Sequence, residues 1–236
     1  VNALAAELDA AAARTVEHLQ KQTASLNIDS VEHSGGTLRA AVRVANLGGH
    51  KLPTGYPARR IWLHVTVRDA AGRAVFESGR LKPDGAIEGN ASDESATGFE
   101  PHYREITRPD QVQIYESVML DTKGLPTTGL LNAFRYGKDN RMLPKGFDKA
   151  TAGPEIAPVG EAFGDPDFTG DGDRVTYAIP LPAGDYKVEA ELWFQPIGYR
   201  WATNLRGYDA AEPQRFVRYW DANAGGTALR LLQTTR

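Results

Sequence analysis

Alternation of apolar and polar residues recurs in short segments of this chain and constrains its fold more than any other feature. In residues 186–194, the clearest segment, every second side chain is apolar and the intervening ones are mostly charged. Successive side chains of a β-strand point to opposite faces, so a period of two predicts a half-buried strand. Further strands are predicted at 26–31, 38–44, 61–68, 74–78, 112–120, 175–179 and 228–232.

Short strands joined by Gly and Pro turns, without alternating helices, predict a mainly β protein with an antiparallel Ig-like β-sandwich. The first residues follow a helical period instead, because Leu4, Leu8 and Leu19 belong to an apolar series spaced three or four residues apart. We therefore predict an N-terminal helical extension over 1–25 and one β-sandwich domain over 26–236. Long decorated loops are expected at 79–101 and 123–172, and a short helix at 212–221.

Composition excludes several classes of function. The net charge of −3 and the lack of a Lys/Arg-rich run argue against nucleic-acid binding. No apolar stretch approaches the ~20 residues that a transmembrane helix needs. The chain has no cysteine, which excludes disulfides, thiolate metal sites, thiol catalysis and covalent haem attachment through Cys-x-x-Cys-His within it.

The segment between two predicted strands, residues 46–60, has an unusual composition for a loop. It contains Gly48-Gly49 and Gly55, together with Pro53 and Pro57. Glycine permits positive φ and close backbone approach, whereas proline holds φ near −65°. We therefore expect a shaped loop that presents its single histidine, His50, from a rigid frame.

An acidic segment, residues 165–173, predicts a candidate calcium site. Oxygen-bearing side chains occupy alternate positions, and Gly170 allows a tight bend, as in the first nine positions of an EF-hand loop. The twelfth position is Thr176 instead of the bidentate Glu, so a solvated acidic turn is the competing interpretation. The candidate Ca²⁺ ligands are Asp165, Asp167, Thr169, Asp171 and Asp173.

The five histidines show no H-E-x-x-H or other paired spacing, which argues against a zinc enzyme. His50 and His102 lie in Gly- or Pro-bearing loops, where each ring could bind a metal or haem iron, or simply donate to a backbone carbonyl. No nucleophile elbow, Walker loop or dinucleotide fingerprint occurs, so the prediction is a protein that is not an enzyme. A glycosidase carboxylate pair is defined in space and stays open, as does glycan stacking on Trp62, Trp193, Trp201 or Trp220.

Several sequence blocks, in order from about residue 10 to residue 220, resemble the non-haem C-terminal β-sandwich region of secreted bacterial multihaem c-type cytochromes. The most distinctive are Gly49-His-Lys-Leu-Pro-Thr-Gly-Tyr-Pro-Ala-Arg-Arg60 with Trp62, and Lys138-Asp-Asn-Arg-Met-Leu-Pro-Lys-Gly-Phe147. Others are Phe76-Glu-Ser-Gly79, Asp84-Gly85, His102-Tyr103, Gln111–Glu116, Gly172-Asp173 and Leu192–Ile197.

The resemblance implies a periplasmic or extracellular setting and a partner that is a multihaem c-type cytochrome chain or domain. Without cysteine, this chain would carry no haem of its own, only contact a partner's haem c. The implied contacts are an axial ligand in trans from His50 or His102, and propionate pairing by Arg59, Arg60 and Arg141. The alternatives are a calcium-stabilised secreted module that binds or adheres to a glycan or protein, and, less favoured, a hydrolase with its site spread over loops.

Overall fold

The protein is mainly β, as a computed structural model describes it for residues 4–236. Residues 1–3 of the predicted helical extension lie outside this range. The helices are α1 (Ala5–Gln22), α2 (Ala91–Glu94), α3 (Glu161–Gly164), α4 (Tyr199–Asn204) and α5 (Ala211–Asn223). The strands are β1 (Ala24–Ser34), β2 (Thr37–Asn46), β3 (Arg60–Asp69), β4 (Ala74–Ser78), β5 (Glu105–Ile106), β6 (Ile114–Tyr115), β7 (Ser117–Leu120), β8 (Pro126–Thr127), β9 (Arg135–Asp139), β10 (Asp173–Pro180), β11 (Tyr186–Gln195) and β12 (Leu229–Thr235).

Two sheets form the sandwich and confirm the predicted fold class. The first has the order β1-β2-β10-β5, and the second has the order β12-β11-β3-β4 with β6 added alongside β3. Their pairings are antiparallel apart from the short parallel contact between β5 and β10. In a smaller antiparallel sheet, β8-β7-β9, two short strands from the long connection after residue 120 pair with β7.

The core lies between the two large sheets because each contributes one apolar face. In the register of β3 with β11, Leu63 is opposite Leu192 and Val65 is opposite Ala190. These side chains pack in one buried cluster with residues of the other sheet, such as Val42. Two inward faces that interdigitate in this way are the usual core of a sandwich.

The outer face of β3 is covered as well, which the alternation in the sequence did not predict. Trp62 points away from the main core yet is fully buried, in a second cluster with Ile87, Val112 and Ile114. Its indole Nε1 donates to Gly79 O at 2.9 Å. The irregular segments after β4 therefore cover the outer face of this sheet, which their polar composition does not indicate.

The N-terminal helix α1 rests on the sandwich by one end. Leu19 packs against the main core, and Gln20 Nε2 donates to Arg230 O at 3.0 Å. Leu4 and Leu8, at the other end, are exposed. None of the helices in the described range is both long and apolar enough to cross a membrane.

Candidate functional site

The loop between β2 and β3 is held in shape by the side chain of Asn46. Its Nδ2 donates to His50 O at 2.7 Å, and its Oδ1 accepts from Gly48 N at 2.8 Å. Leu52 then exchanges backbone hydrogen bonds with Met142, which ties the loop to the segment after β9. The shaped loop predicted from glycine and proline content is thus fixed by the hydrogen bonds of Asn46 together with the pairing of Leu52 and Met142.

His50 is exposed on this loop. Its Nδ1 lies 3.1 Å from Lys51 O. A carbonyl oxygen can only accept, so Nδ1 donates this hydrogen bond. Nε2 makes no hydrogen bond to any residue from 4 to 236. A neutral imidazole whose second nitrogen is oriented by a backbone carbonyl is the form in which histidine binds metals.

The three predicted propionate-binding arginines have different environments. Arg60 is buried and donates to Asp93 Oδ1 at 2.8 Å and to Gln195 Oε1 at 2.8 Å. Arg141 makes two 2.8 Å hydrogen bonds to the carboxylate of Asp139. Arg59, half-buried at the loop's end, is the one without a carboxylate partner in the described part of the chain, and it donates to Thr54 O at 2.6 Å.

His102 does not reach the surface. Its side chain is 0% exposed, and Nε2 lies 3.1 Å from Asp165 Oδ2 and 3.8 Å from Asp173 Oδ1. Both ring nitrogens have partners within the chain, so the predicted ligation in trans finds no free nitrogen here. The exposed guanidinium of Arg104 lies 3.6 Å from Asp165 Oδ1, which places the cluster close beneath the surface.

Neighbouring amides determine which nitrogen of His102 carries the proton. Gln113 Oε1 accepts from Tyr103 N, and Asn140 Oδ1 accepts from Glu116 N. Each amide nitrogen must therefore face the ring, and they lie 2.9 Å and 3.2 Å from Nδ1. Nδ1 thus accepts, and Nε2–H donates to Asp165. A metal ion that used Nε2 would have to displace this proton.

Asp173 is the incompletely satisfied member of the cluster. Tyr115 OH donates to its Oδ2 at 2.7 Å and Gln113 Nε2 donates at 3.1 Å, but Oδ1 is buried with no partner among the described residues. Burial raises the pKa of Asp173. For Asp165 burial acts in the same direction, but hydrogen bonds from His102 and from the Asp167 backbone outweigh it, and the pKa is lowered.

The five predicted calcium ligands do not converge on one point. Asp165 and Asp173 turn inward to His102, and the donor atoms of these three lie within 4.8 Å of one another, so this buried group could bind a metal. Asp167 and Asp171 are exposed, while Thr169 closes a tight turn through backbone hydrogen bonds with Gly172. His102 lies more than 60 positions before Asp165 and Asp173 in the sequence. The cluster also includes Gln113, Tyr115 and Asn140, and no local spacing in the sequence indicated that these residues meet.

His64 forms a second carboxylate–histidine group on the outer face of β3. Its Nδ1 lies 2.8 Å from Glu191 Oε2 and its Nε2 lies 2.9 Å from Glu77 Oε1. Burial disfavours the charged ring, but the two carboxylates outweigh burial and the pKa of His64 is raised. Glu191 shows the reciprocal effect: burial is outweighed by His64, Trp193 and Arg230, and its pKa is lowered to about 2.

We expect this group to make stability depend on pH in two windows. The contribution of His64 is fully present below its unfolded pKa of 6.5 and is lost as pH rises through the raised folded value. The contribution of Glu191 is present above 4.5 and is lost as pH falls toward 2. Urea unfolding across these ranges, with an NMR titration of the His64 ring, measures both. His64→Gln should flatten the upper window, and an unchanged profile would contradict the assignment.

The tryptophans differ in accessibility. Trp62 and Trp220 are buried, and the half-buried Trp193 stacks on Trp62 with ring centroids 6.1 Å apart. Trp201, in α4, instead lines an open groove with a volume of about 640 Å³. We call it the aromatic groove; its walls are Tyr56, Ala58, Arg59, Thr128, Pro196, Ile197, Trp201, Leu205, Tyr208, Pro213 and Phe216.

A second apolar surface adjoins this groove. Large apolar side chains within residues 125–136 are exposed, including Leu131 at 101% and Phe134 at 70%. Asn204 Nδ2 donates to Thr128 Oγ1 at 3.0 Å, which fixes this segment against the end of α4. We call this surface the 125–136 face; its exposed members are Leu125, Leu130, Leu131, Phe134 and Tyr136.

Comparison with known proteins shows that the fold is similar to part of a cytochrome. No protein family and no curated protein matches the sequence. The fold is similar to that of a penta-haem cytochrome c552 from Thermochromatium tepidum, with a TM-score of 0.55 and 15% sequence identity. The similarity covers 94% of this chain and 40% of that chain, so this chain spans less than half of the cytochrome's length. At this identity the likeness is one of fold.

Proposed function

We propose that the chain is a non-catalytic module of a multihaem c-type cytochrome assembly that transfers electrons in the periplasm or outside the cell. It packs against a haem-bearing chain or domain and carries no haem itself, in line with its lack of cysteine. The fold likeness supports this context because nearly the whole chain corresponds to a minor part of a penta-haem cytochrome.

The observation that carries the proposal is the exposed 125–136 face. Soluble monomers rarely expose large contiguous apolar patches, and such patches mark interaction sites. Leu131 is fully exposed and Phe134 is mostly exposed, and both lie in the connection between β8 and β9, each of which pairs with β7. Burying these side chains against a partner would remove apolar surface from water, which favours association.

His50 supplies the second part of the proposal. Its Nδ1 donates to Lys51 O, which leaves Nε2 without a partner among the described residues and available as a distal ligand to a haem iron of the partner. The loop is already shaped by Asn46, so little conformational entropy is lost when the ring binds.

The test of the assembly is purification from the native source. We expect a haem-staining chain to accompany the wild-type protein. The double variant Leu131→Ser/Phe134→Ser should weaken this association at least about tenfold, since exposed aromatic and aliphatic anchors dominate interface energies. Val75→Ser, at an exposed position on β4, is the matched control and should leave association unchanged. If the haem-staining chain co-purifies with the double variant as well as it does with wild type, the role of this face is contradicted.

The test of His50 is spectroscopic. In the complex, His50→Ala should change the axial ligation of one haem, visible in absorption and EPR spectra, whereas His18→Ala, at an exposed position on α1, should not. Identical spectra for wild type and His50→Ala would remove the ligand role while leaving the assembly intact.

A calcium-stabilised secreted β-sandwich that binds a glycan or a protein is the second candidate, and the unpartnered Asp173 Oδ1 favours it. A carboxylate oxygen of Asp173 and one of Asp165 lie within 4.8 Å of each other, and Ca²⁺ takes carboxylate oxygens as ligands. At a free Ca²⁺ concentration of 100 times the Kd, binding would raise the free energy of unfolding by about 2.7 kcal/mol. Thermal unfolding of wild type and of Asp165→Asn, each with Ca²⁺ and with a chelator, tests whether the ion binds here and stabilises the fold. Retention on a polysaccharide that Trp201→Ala abolishes would favour the binding function.

A further inference from the structure

The aromatic groove is a rigid concave site at the base of the loop that carries His50. It lies between residues 56–59, the turn after β11, helix α4 and the beginning of α5. Its volume of about 640 Å³ falls in the range of small-molecule and cofactor sites. Tyr56 and Tyr208 remain about half exposed on its walls.

The groove is formed before any ligand arrives. Gly198 N donates to Ala58 O at 2.7 Å, which fixes the beginning of α4 beside the loop. Trp201 then lies against Tyr56 with ring centroids 5.1 Å apart. On the far wall, Gln214 Nε2 donates to Tyr208 O at 2.8 Å. Half-exposed aromatic rings on a fixed backbone lose little entropy on binding.

Arg59 is the charged side chain of the groove wall. Its position depends on Gly55, where a Cβ would come within 2.8 Å of Arg59 Nη1 and where φ is +72°. No carboxylate lies within 4.0 Å of this guanidinium in residues 4–236, and no acidic side chain lines the groove. A cation without a counter-charge beside the Tyr56 and Trp201 rings, whose planes are tilted by 59°, fits a ligand with a planar apolar body and a carboxylate at its edge.

From this geometry we infer that the aromatic groove receives the exposed edge of a haem c carried by the partner, with Arg59 bound to a haem propionate. The inference rests on the proposed function and names the contact surface. The porphyrin edge would pack against Tyr56, Trp201 and Tyr208, and the adjoining 125–136 face would contact the protein around that haem.

The experiment is a titration of the full chain with a haem c peptide, a short Cys-x-x-Cys-His peptide carrying covalent haem, followed by Soret absorbance. Arg59→Gln should weaken binding about tenfold through loss of a charge-assisted bidentate pair. Trp201→Ala should weaken it by about the same factor. The control Arg39→Gln removes an exposed arginine on β2 and should bind like wild type. In NMR spectra, the indole N–H signal of Trp201 should shift or broaden on binding.

The outcomes separate this inference from the proposed function. If both groove variants bind the haem peptide as wild type does, or if the peptide without haem binds equally well, the inference is overturned. A co-purifying haem-bearing chain would leave the proposed function standing in either case. If the variants weaken binding as expected but no haem-bearing chain co-purifies, the haem-binding groove is supported and the assembly is contradicted.

Discussion

Replacing Arg60 with methionine is expected to lower the free energy of unfolding by about 3–5 kcal/mol, the usual cost of leaving a buried charge unpaired. The side chains of Arg60 and Asp93 are 3% and 0% exposed, so solvent cannot replace the lost partner. Arg60 also donates to Gln195 Oε1 and Gly85 O, and thereby joins the beginning of β3 to the end of β11 and to the segment that covers it.

Chemical denaturation of Arg60→Met against wild type measures this loss. Arg39→Met is the matched control, because Arg39 pairs with Glu105 at 2.9 Å while both side chains are about half exposed. Exposed pairs contribute about 0–1 kcal/mol, so the control should change stability little. Equal losses in the two variants would show that the Arg60 pair has no special structural importance.

Glu116→Gln is expected to have a comparable effect at a second buried charge. The Lys138 side chain is 0% exposed, and its Nζ lies 3.3 Å from Glu116 Oε1 and 2.8 Å from Ile114 O. Burial lowers the pKa of Lys138, and Glu116 opposes this shift. Removing the carboxylate leaves the ammonium without its counter-charge, at a cost of about 3–5 kcal/mol.

A double-mutant cycle isolates this interaction from other effects of the substitutions. Lys138→Met removes the cation with little change of shape, and Lys138→Met/Glu116→Gln removes both charges together. Replacing both members of a buried pair can be nearly neutral, so the double variant should recover most of the stability that Glu116→Gln loses. Losses that simply add in the double variant would contradict coupling between the two groups.

The longer strands could be predicted from sequence because their signal is local, whereas the short strands β5, β8 and β9 were not predicted. The alternation over 186–194 and 61–68 corresponds to β11 and β3, which pair directly in the second sheet. Alternation alone places Trp62 on the polar face of β3, opposite the core face that holds Leu63, but Trp62 is fully buried there. Part of its cover, Ile87, comes from the predicted loop 79–101, whose polar composition and irregular backbone give no periodic signal.

The candidate site was predicted less completely, for the same reason. Glycine and proline indicated a shaped loop with an exposed His50, and the structure has both features. The adjacent arginines Arg59 and Arg60 are indistinguishable in sequence, yet one is buried against Asp93 and the other lines an open groove. His102, assigned to a partner's haem, and Asp165, assigned to calcium, turn out to be hydrogen-bonded to each other.

The sequence by itself determined the longer β-strand segments and the lack of any covalently attached haem, because alternation and the absence of cysteine are properties of the chain alone. The tertiary structure decided which charges are buried, that His102, Asp165 and Asp173 meet, and that Trp201 lines a groove while Trp220 is enclosed. The environment of a side chain is set by segments far away in the sequence, and their arrangement depends on how the two sheets and their covering loops pack together.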